Sequence, residues 1–359
     1  CQICLFPRVK TADLNYELPE ALIAAHPAER RDGARLLVLD SDTLRDGWVD
    51  ELAQLIPEGA LVVVNDTRVR RARIFGSRQG SGGRIELLFI RRLAIDEGGR
   101  ERWEAIGRAS KPLRVGTRIE WDEVRIEVLE KSTDATLLVA VDPRGADFEQ
   151  ILDQRGHLPL PPYMRRPDEG SDLERYQTVY AKRTASAAAP TAGLHLTPQL
   201  FERLRQRGVE LARLELEIGL GTFRSVTVED LDDHPMHAET FAVDVELARA
   251  VRAARERKAP IVAVGTTVVR ALESAADPDC PGQVRVTHGE TRLLIQPGYQ
   301  FQVVDALLTN FHVPESTLLA LVSAFAGYDA VMAAYRHAVA AGYRFLSYGD
   351  AMWIPKRRA

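Results

Sequence analysis

Two rhythms of apolar residues divide this chain. Leu36 to Leu39 and Ala60 to Val64 are unbroken apolar runs, the pattern of strands covered on both faces. Val49 to Ile56 reads as a helix, and so does Leu18 to Ala25, where Pro19 suits a helix start. From Arg70 the rhythm shortens. Arg70 to Phe75, Arg84 to Ile90, Glu101 to Arg108, Arg118 to Leu129 and Thr136 to Val141 read as strands, several alternating with period two. Turns at Gly80-Ser81-Gly82-Gly83, Gly98-Gly99 and Lys111-Pro112 separate them, and Asp147 to Gln154 follows as a helix. Five or six short strands in about 80 residues fit a small antiparallel barrel.

Beyond Gly156 the chain turns Pro-rich and polar, GHLPLPPYMRRPDEGSDLERYQTVY, too long for a simple connection and therefore a candidate for function. From Thr197, an N-cap followed by Pro198, helices and strands alternate: helix 198–207, strand 209–217, helix 245–257, strand 260–264, helix 267–276, strands 291–295 and 306–311, helices 315–326 and 328–341. Phe345 to Tyr348 reads as a last short strand. The alternation predicts an α/β fold with a mixed, mainly parallel sheet, residues 9–67 and 155–359, into which a small antiparallel β-barrel, residues 68–154, is inserted.

Composition adds limits to this picture. Hydrophobic residues are 45% and charged residues 27% of 359, as in ordinary globular proteins, and no apolar run is long enough for a bilayer, so no membrane partner is expected. Three cysteines favour a reducing compartment such as the cytoplasm. Cys1 and Cys4 have zinc-knuckle spacing without a second pair, and no metal is expected. Cys1 to Arg8 lack signal-peptide patterning and are expected to lie outside the native chain, with Val9 near its start. The net charge is −4, yet Asn65 to Arg125 holds fifteen Lys/Arg against nine Asp/Glu, which permits a nucleic-acid partner without demanding one.

The candidate chemistry lies in turns. Ala188 to Leu196, AAPTAGLHL, spends Pro, Gly and two turn residues on holding His195 before a helix. Asn65-Asp66-Thr67-Arg68 ends a buried strand, where ligands of α/β sheets sit. Gly265-Thr266-Thr267 opens a helix whose free N–H groups suit an anion, with Arg270 one turn in; a plain capped helix explains the same residues. Asp233-His234-Pro235-Met236-His237-Ala238-Glu239 packs two histidines among acids, as acid/base cluster, metal site or structural loop. Leu308 to Leu319, LTNFHVPESTLL, brings Asn310, His312 and Glu315 to one strand-to-helix junction, ahead of a helix whose apolar stripe is core. Gly219-Leu220-Gly221-Thr222-Phe223 lacks the third glycine of a dinucleotide fingerprint.

DLNYELPEALIAAHP, VVVNDTRV, GGRIELLF, the Pro-rich crossover, AAPTAGLHL, GLGTF, DHPMHAE, VGTTVVRALESA, LTNFHVPESTLLALVSAFAGY and YRFLSYGDAM, in that order, closely resemble the S-adenosylmethionine:tRNA ribosyltransferase-isomerases of queuosine biosynthesis, from about Val9 to Ile354. The resemblance implies an α/β domain with an inserted barrel. It implies transfer and isomerisation of the ribosyl part of S-adenosylmethionine onto 7-aminomethyl-7-deazaguanine at the tRNA wobble position, giving epoxyqueuosine, adenine and methionine. It implies no metal or redox cofactor; S-adenosylmethionine is a substrate, and a monomer is expected.

Carried onto this chain, that chemistry makes His195, His234, His237 and His312 acid/base candidates, with Asp233 and Glu239 as orienting carboxylates. Thr266, Thr267 and Arg270 are candidates for the methionine or ribose end, Asn310 and Glu315 for adenine or ribose hydroxyls, and Asn65 and Asp66 for substrate. Tyr163, Tyr180 and Phe223 are stacking candidates for a splayed base, and Arg68, Arg70, Arg71 and Arg165 candidates for tRNA phosphates. The chain departs from the family pattern at Thr184-Ala185 for Pro-Gly, Leu196 for phenylalanine, Glu217 for histidine and Val268 for serine. The last two remove polar groups and put full activity in question. Two rivals remain: a methyltransferase, whose glycine-rich loop should stand where Asn65-Asp66-Thr67 does, and a tRNA-binding protein without catalysis.

Overall fold

The computed structural model describes residues 8–132, 136–219 and 226–358. Strands β1 (Arg35–Asp40) and β2 (Thr43–Trp48) form a hairpin, followed by the short helix α1 (Leu52–Leu55), β3 (Leu61–Asn65) and β4 (Thr67–Val69). Six strands then close into a barrel: β5 (Arg73–Arg78), β6 (Arg84–Ile95), β7 (Glu101–Ala109), β8 (Arg118–Trp121), β9 (Val124–Lys131) and β10 (Thr136–Asp142), in the order β10-β7-β6-β5-β8-β9. Every pair in it is antiparallel. Trp103, Phe89 and Trp121 fill its interior, and helix α2 (Phe148–Arg155) plugs it with Phe148, whose ring meets all three edge-on. Closure leaves no free sheet edge in the barrel.

The crossover carries α3 (Asp172–Arg175) and β11 (Arg183–Ser186), which pairs in parallel with β4. The rest comprises α4 (Pro198–Gln206), β12 (Glu210–Leu216), β13 (Glu239–Val243), α5 (Val245–Glu256), β14 (Ile261–Val264), α6 (Thr266–Ser274), β15 (Thr287–Thr291), β16 (Ala306–Asn310), α7 (Thr317–Ala326), α8 (Tyr328–Ala340) and β17 (Ala351–Ile354). Nine strands form one sheet in the order β15-β13-β12-β3-β14-β16-β17-β1-β2. Its centre, β12-β3-β14-β16, is parallel.

The apolar runs have a direct physical reason. In β3, Leu61 and Val63 join one core while Val62 and Val64 join another; in β14, Ile261 and Ala263 divide from Val262 and Val264 in the same way. Both faces are covered, so no alternation is needed. Helix starts are set by side-chain caps: Thr197 Oγ1 accepts from Leu200 N at 3.1 Å, Asp244 Oδ1 from Leu247 N at 2.8 Å, and Ser316 Oγ from Leu319 N at 3.2 Å. Among the described residues no single helix is long and apolar enough to cross a membrane.

Some elements differ from the pattern reading. The expected strand 291–295 is instead β15, ending at Thr291, because Leu293 to Ile295 turn inward against the larger core. Phe345 to Tyr348 is no strand beyond one bridge from Phe345 to Ile23; the Phe345 ring packs on Tyr16 and Phe311, and the strand is β17 instead. Leu18 to Ala25 shortens to a 3-10 turn, Glu20–Leu22.

Candidate functional site

The ends of β12, β14 and β16 open into a cavity of about 550 Å3. This is the carboxyl end of the parallel strands, on the two sides of β3 where strand order reverses, the expected ligand crevice of such a sheet. Three segments build its walls. The first is the 3-10 turn Thr191–His195 after Pro190, the second the start of α6 at Gly265, Thr266 and Thr267, and the third Thr309 to Glu315. Tyr163 and Tyr176 of the crossover and Ser347 close it. Gly193 permits the turn: a Cβ there would overlap the Tyr180 hydroxyl.

Of the residues singled out in the sequence, Tyr163, Thr266, Thr267, Asn310, His312 and Glu315 line this cavity together. The Thr267 hydroxyl is buried without a partner among the described residues. Gly265 has φ 94°, which turns the chain from β14 into α6 and leaves the first N–H groups of the helix at the cavity. Glu315 has φ 53°, a left-handed conformation uncommon for a side chain that is not glycine, and its N–H donates to Leu14 O at 2.9 Å. Tyr163 Oη lies 2.5 Å from Ser347 Oγ, and burial pushes its pKa up to about 12.

His312 is held from three sides. Thr309 Oγ1 lies 3.0 Å from Nε2, its backbone N–H donates to Tyr335 Oη at 3.0 Å, and its carbonyl accepts from Tyr16 Oη. Burial lowers its pKa to about 4. His195 stands one layer back, outside the cavity lining, with Nε2 facing Asn310 Nδ2 at 3.2 Å. Burial lowers its pKa to about 4 as well, against a hydrogen bond to the Arg31 backbone that favours the charged form.

Other candidates gather elsewhere. His234, His237, Glu239 and Arg270 line a separate space of about 30 Å3, which shares only Leu318 with the main cavity. There Arg270 forms a buried ion pair with Glu239 and donates to Leu293 O at 3.1 Å, outside the lining of the larger cavity. Burial, then His237, lowers the pKa of His234. Asp233 is exposed at the end of a 3-10 turn. Among the described residues no three His, Cys, Asp or Glu side chains converge as metal ligands.

Several candidates are placed in supporting positions. Tyr180 is buried in the core with its ring edge-on to Phe201, away from any stacking surface. Asn65 cross-links β3 to β12, donating to Leu216 O and accepting from Leu216 N and Thr67 N. Asp66 sits beside Lys182 and Arg213, half-buried, and burial raises its pKa. Arg70 is paired with Glu149 at 3.0 Å, Arg71 donates to Gly156 O and Asp153 O at 2.7 Å, and Arg165 is paired with Glu20. Arg68 alone of the four is exposed with no side-chain partner among the described residues. Phe223 lies outside the described residues.

Tyr16, Tyr176, Thr309 and Tyr335 also belong to the site, and no local sequence signal marks them: only the fold brings them to His312 and the cavity.

Comparison with known proteins finds relatives over nearly the whole chain. Residues 11–354 match the family profile described as "Queuosine biosynthesis protein". An S-adenosylmethionine:tRNA ribosyltransferase-isomerase of Sorangium cellulosum is 55% identical, covering 95% of this chain and 97% of its own. One of Geobacter metallireducens is 48% identical over 96% of this chain and 100% of its own. The crystal structure of an S-adenosylmethionine tRNA ribosyltransferase from Thermotoga maritima superposes with a TM-score of 0.53 at 34% identity, covering 95% of this chain and 99% of that one.

Proposed function

The chain belongs to the queuosine biosynthesis family of S-adenosylmethionine:tRNA ribosyltransferase-isomerases and is an enzyme, and we propose that it transfers and isomerises the ribosyl part of S-adenosylmethionine onto 7-aminomethyl-7-deazaguanine at the tRNA wobble position. The product is epoxyqueuosine-tRNA, with adenine and methionine released, and the setting is the cytoplasm. The observation that carries the reading is the cavity of about 550 Å3 at the strand ends. Its volume is in the range of nucleoside-sized ligands, and its wall is apolar with a few converging polar groups.

The residues divide the work by chemistry. Thr266 and Thr267, with free N–H groups at the start of α6, take the methionine or ribose end. Asn310 hydrogen-bonds the nucleoside, and Tyr163 offers a ring face to a base. His312, neutral at physiological pH, hydrogen-bonds adenine as it leaves. Arg68 meets the tRNA backbone outside. No metal or redox cofactor enters this scheme.

The test is an incubation of the protein with S-adenosylmethionine and tRNA bearing the aminomethyl base. The reading expects free adenine and a matching mass increase of the nucleoside. Formation of S-adenosylhomocysteine would mark methyl transfer instead, and salt-sensitive tRNA binding without consumption of S-adenosylmethionine would mark a non-catalytic binder.

A further inference from the structure

Resting on the ribosyl-transfer reading, we infer that Glu315 is the catalytic base that removes the proton from the carbon attached to the sulfonium, the 5′ carbon of the adenosyl group. Among the described residues lining the cavity, Glu315 has the only carboxylate, and no lysine or arginine lines it. The half-buried Glu315 side chain has no hydrogen bond or ion pair among the described residues, whereas the fully buried acids Asp172, Glu239, Glu273 and Asp350 are all engaged. The backbone is held in the left-handed region at φ 53° by Pro314 before it, the Ser316 cap of α7 after it and the Glu315 N–H to Leu14 O bond. An uncommon backbone state that places one unpaired acid at a cavity is what a positioned reacting group requires.

Electrostatics separates Glu315 from the histidine beside it. Proton transfer to His312 would leave an imidazolium in a place where burial already disfavours the charged ring. Transfer to a carboxylate consumes opposite charges instead: the negative acid becomes neutral and the sulfonium becomes an overall neutral ylide. In that step the C–H bond breaks, an O–H bond forms on Glu315, and the electron pair stays on carbon beside the positive sulfur. The proton is then at hand for the departing adenine, which needs one.

The experiment uses the full chain, aminomethyl-tRNA and S-adenosylmethionine carrying two deuteriums on the 5′ carbon, and measures deuterium lost from that carbon, adenine release and the Kd for S-adenosylmethionine. The wild type is expected to lose one deuterium per turnover. Glu315→Gln should bind S-adenosylmethionine within about threefold of wild type yet lose deuterium at least about a hundredfold more slowly, with Glu315→Asp recovering part of the rate. Glu315→Gly, free of left-handed strain, should fold and show the same defect. Deuterium loss by Glu315→Gln within about threefold of wild type at saturating S-adenosylmethionine would overturn the assignment, as would adenine release by the wild type with both deuteriums retained. Absence of adenine from the wild-type reaction would instead remove the ribosyl-transfer reading itself.

Discussion

Asn310 Nδ2 and His195 Nε2 lie 3.2 Å apart, and that contact settles the direction of both side chains. The same amide nitrogen also faces Leu346 O at 3.1 Å and Asp350 O at 3.4 Å. Carbonyls only accept, so the amide cannot be turned round, and the His195 nitrogen facing it is the unprotonated one. Asn310 Oδ1 is left without a partner among the described residues, in a side chain that lines the cavity. His195 thus stands behind Asn310 and outside the cavity lining, the place of a group that acts through its neighbour. His195→Gln, which can still accept from Nδ2, is expected to keep kcat and the pH–rate profile within about threefold of wild type, whereas His195→Leu should raise the KM for S-adenosylmethionine about tenfold. Steady-state kinetics across pH would check this; a lost limb of the profile in His195→Gln would point back to proton transfer.

The depressed pKa values of His195 and His312 also make stability depend on pH. Both sit at about 4 in the folded protein, below the ordinary value of 6.5. The unfolded chain therefore binds more protons between pH 6.5 and 4, so stability is complete above that window and falls as pH drops through it. By pH 5 the loss should be about 2 kcal/mol for each histidine. Urea denaturation of wild type and His195→Gln at pH 7 and pH 5 measures it, the variant losing less on acidification.

Arg270 and Glu239 form a buried ion pair, and its two halves should not be equally replaceable. Glu239→Gln leaves a buried guanidinium without its counter-charge and should cost about 3–5 kcal/mol, while the double change Arg270→Met with Glu239→Leu should cost much less. Chemical denaturation gives both values. Equal losses would mean that the pair itself holds the sheet edge together.

Much of the fold was legible because its strands obey simple burial rules. β3 and β14 read as apolar runs since both of their faces are covered, and β7, β8 and β9 alternate around the barrel interior. β2 was not legible: Thr43–Trp48 is largely exposed at the sheet edge and carries no apolar signal. The site was half legible. Turn residues pointed to Thr266, Thr267, Asn310, His312 and Glu315, all of which meet at one cavity. Residue type alone favoured histidines, because nothing in the sequence tells that His195 is one layer behind Asn310 or that Tyr180 packs on Phe201.

Arg68 and Arg71, which precede the first barrel strand, should separate by their partners. Arg68→Ala is expected to weaken tRNA binding uniformly and to lower the salt-dependence slope by about one ion. Arg71→Ala removes bonds to the Gly156 and Asp153 carbonyls and should lower thermal stability while leaving that slope unchanged. Binding isotherms at several salt concentrations, with melting curves, distinguish the two.

The central claim is that the ribosyl part of S-adenosylmethionine, and not its methyl group, reaches the tRNA. Parallel incubations with aminomethyl-tRNA and S-adenosylmethionine labelled with carbon-13 either in the ribose or in the methyl group test it most directly. The account expects ribose label in the digested nucleoside, one equivalent of free adenine and no methyl label. Methyl label in the nucleoside, or neither label in it after S-adenosylmethionine has bound, would contradict it.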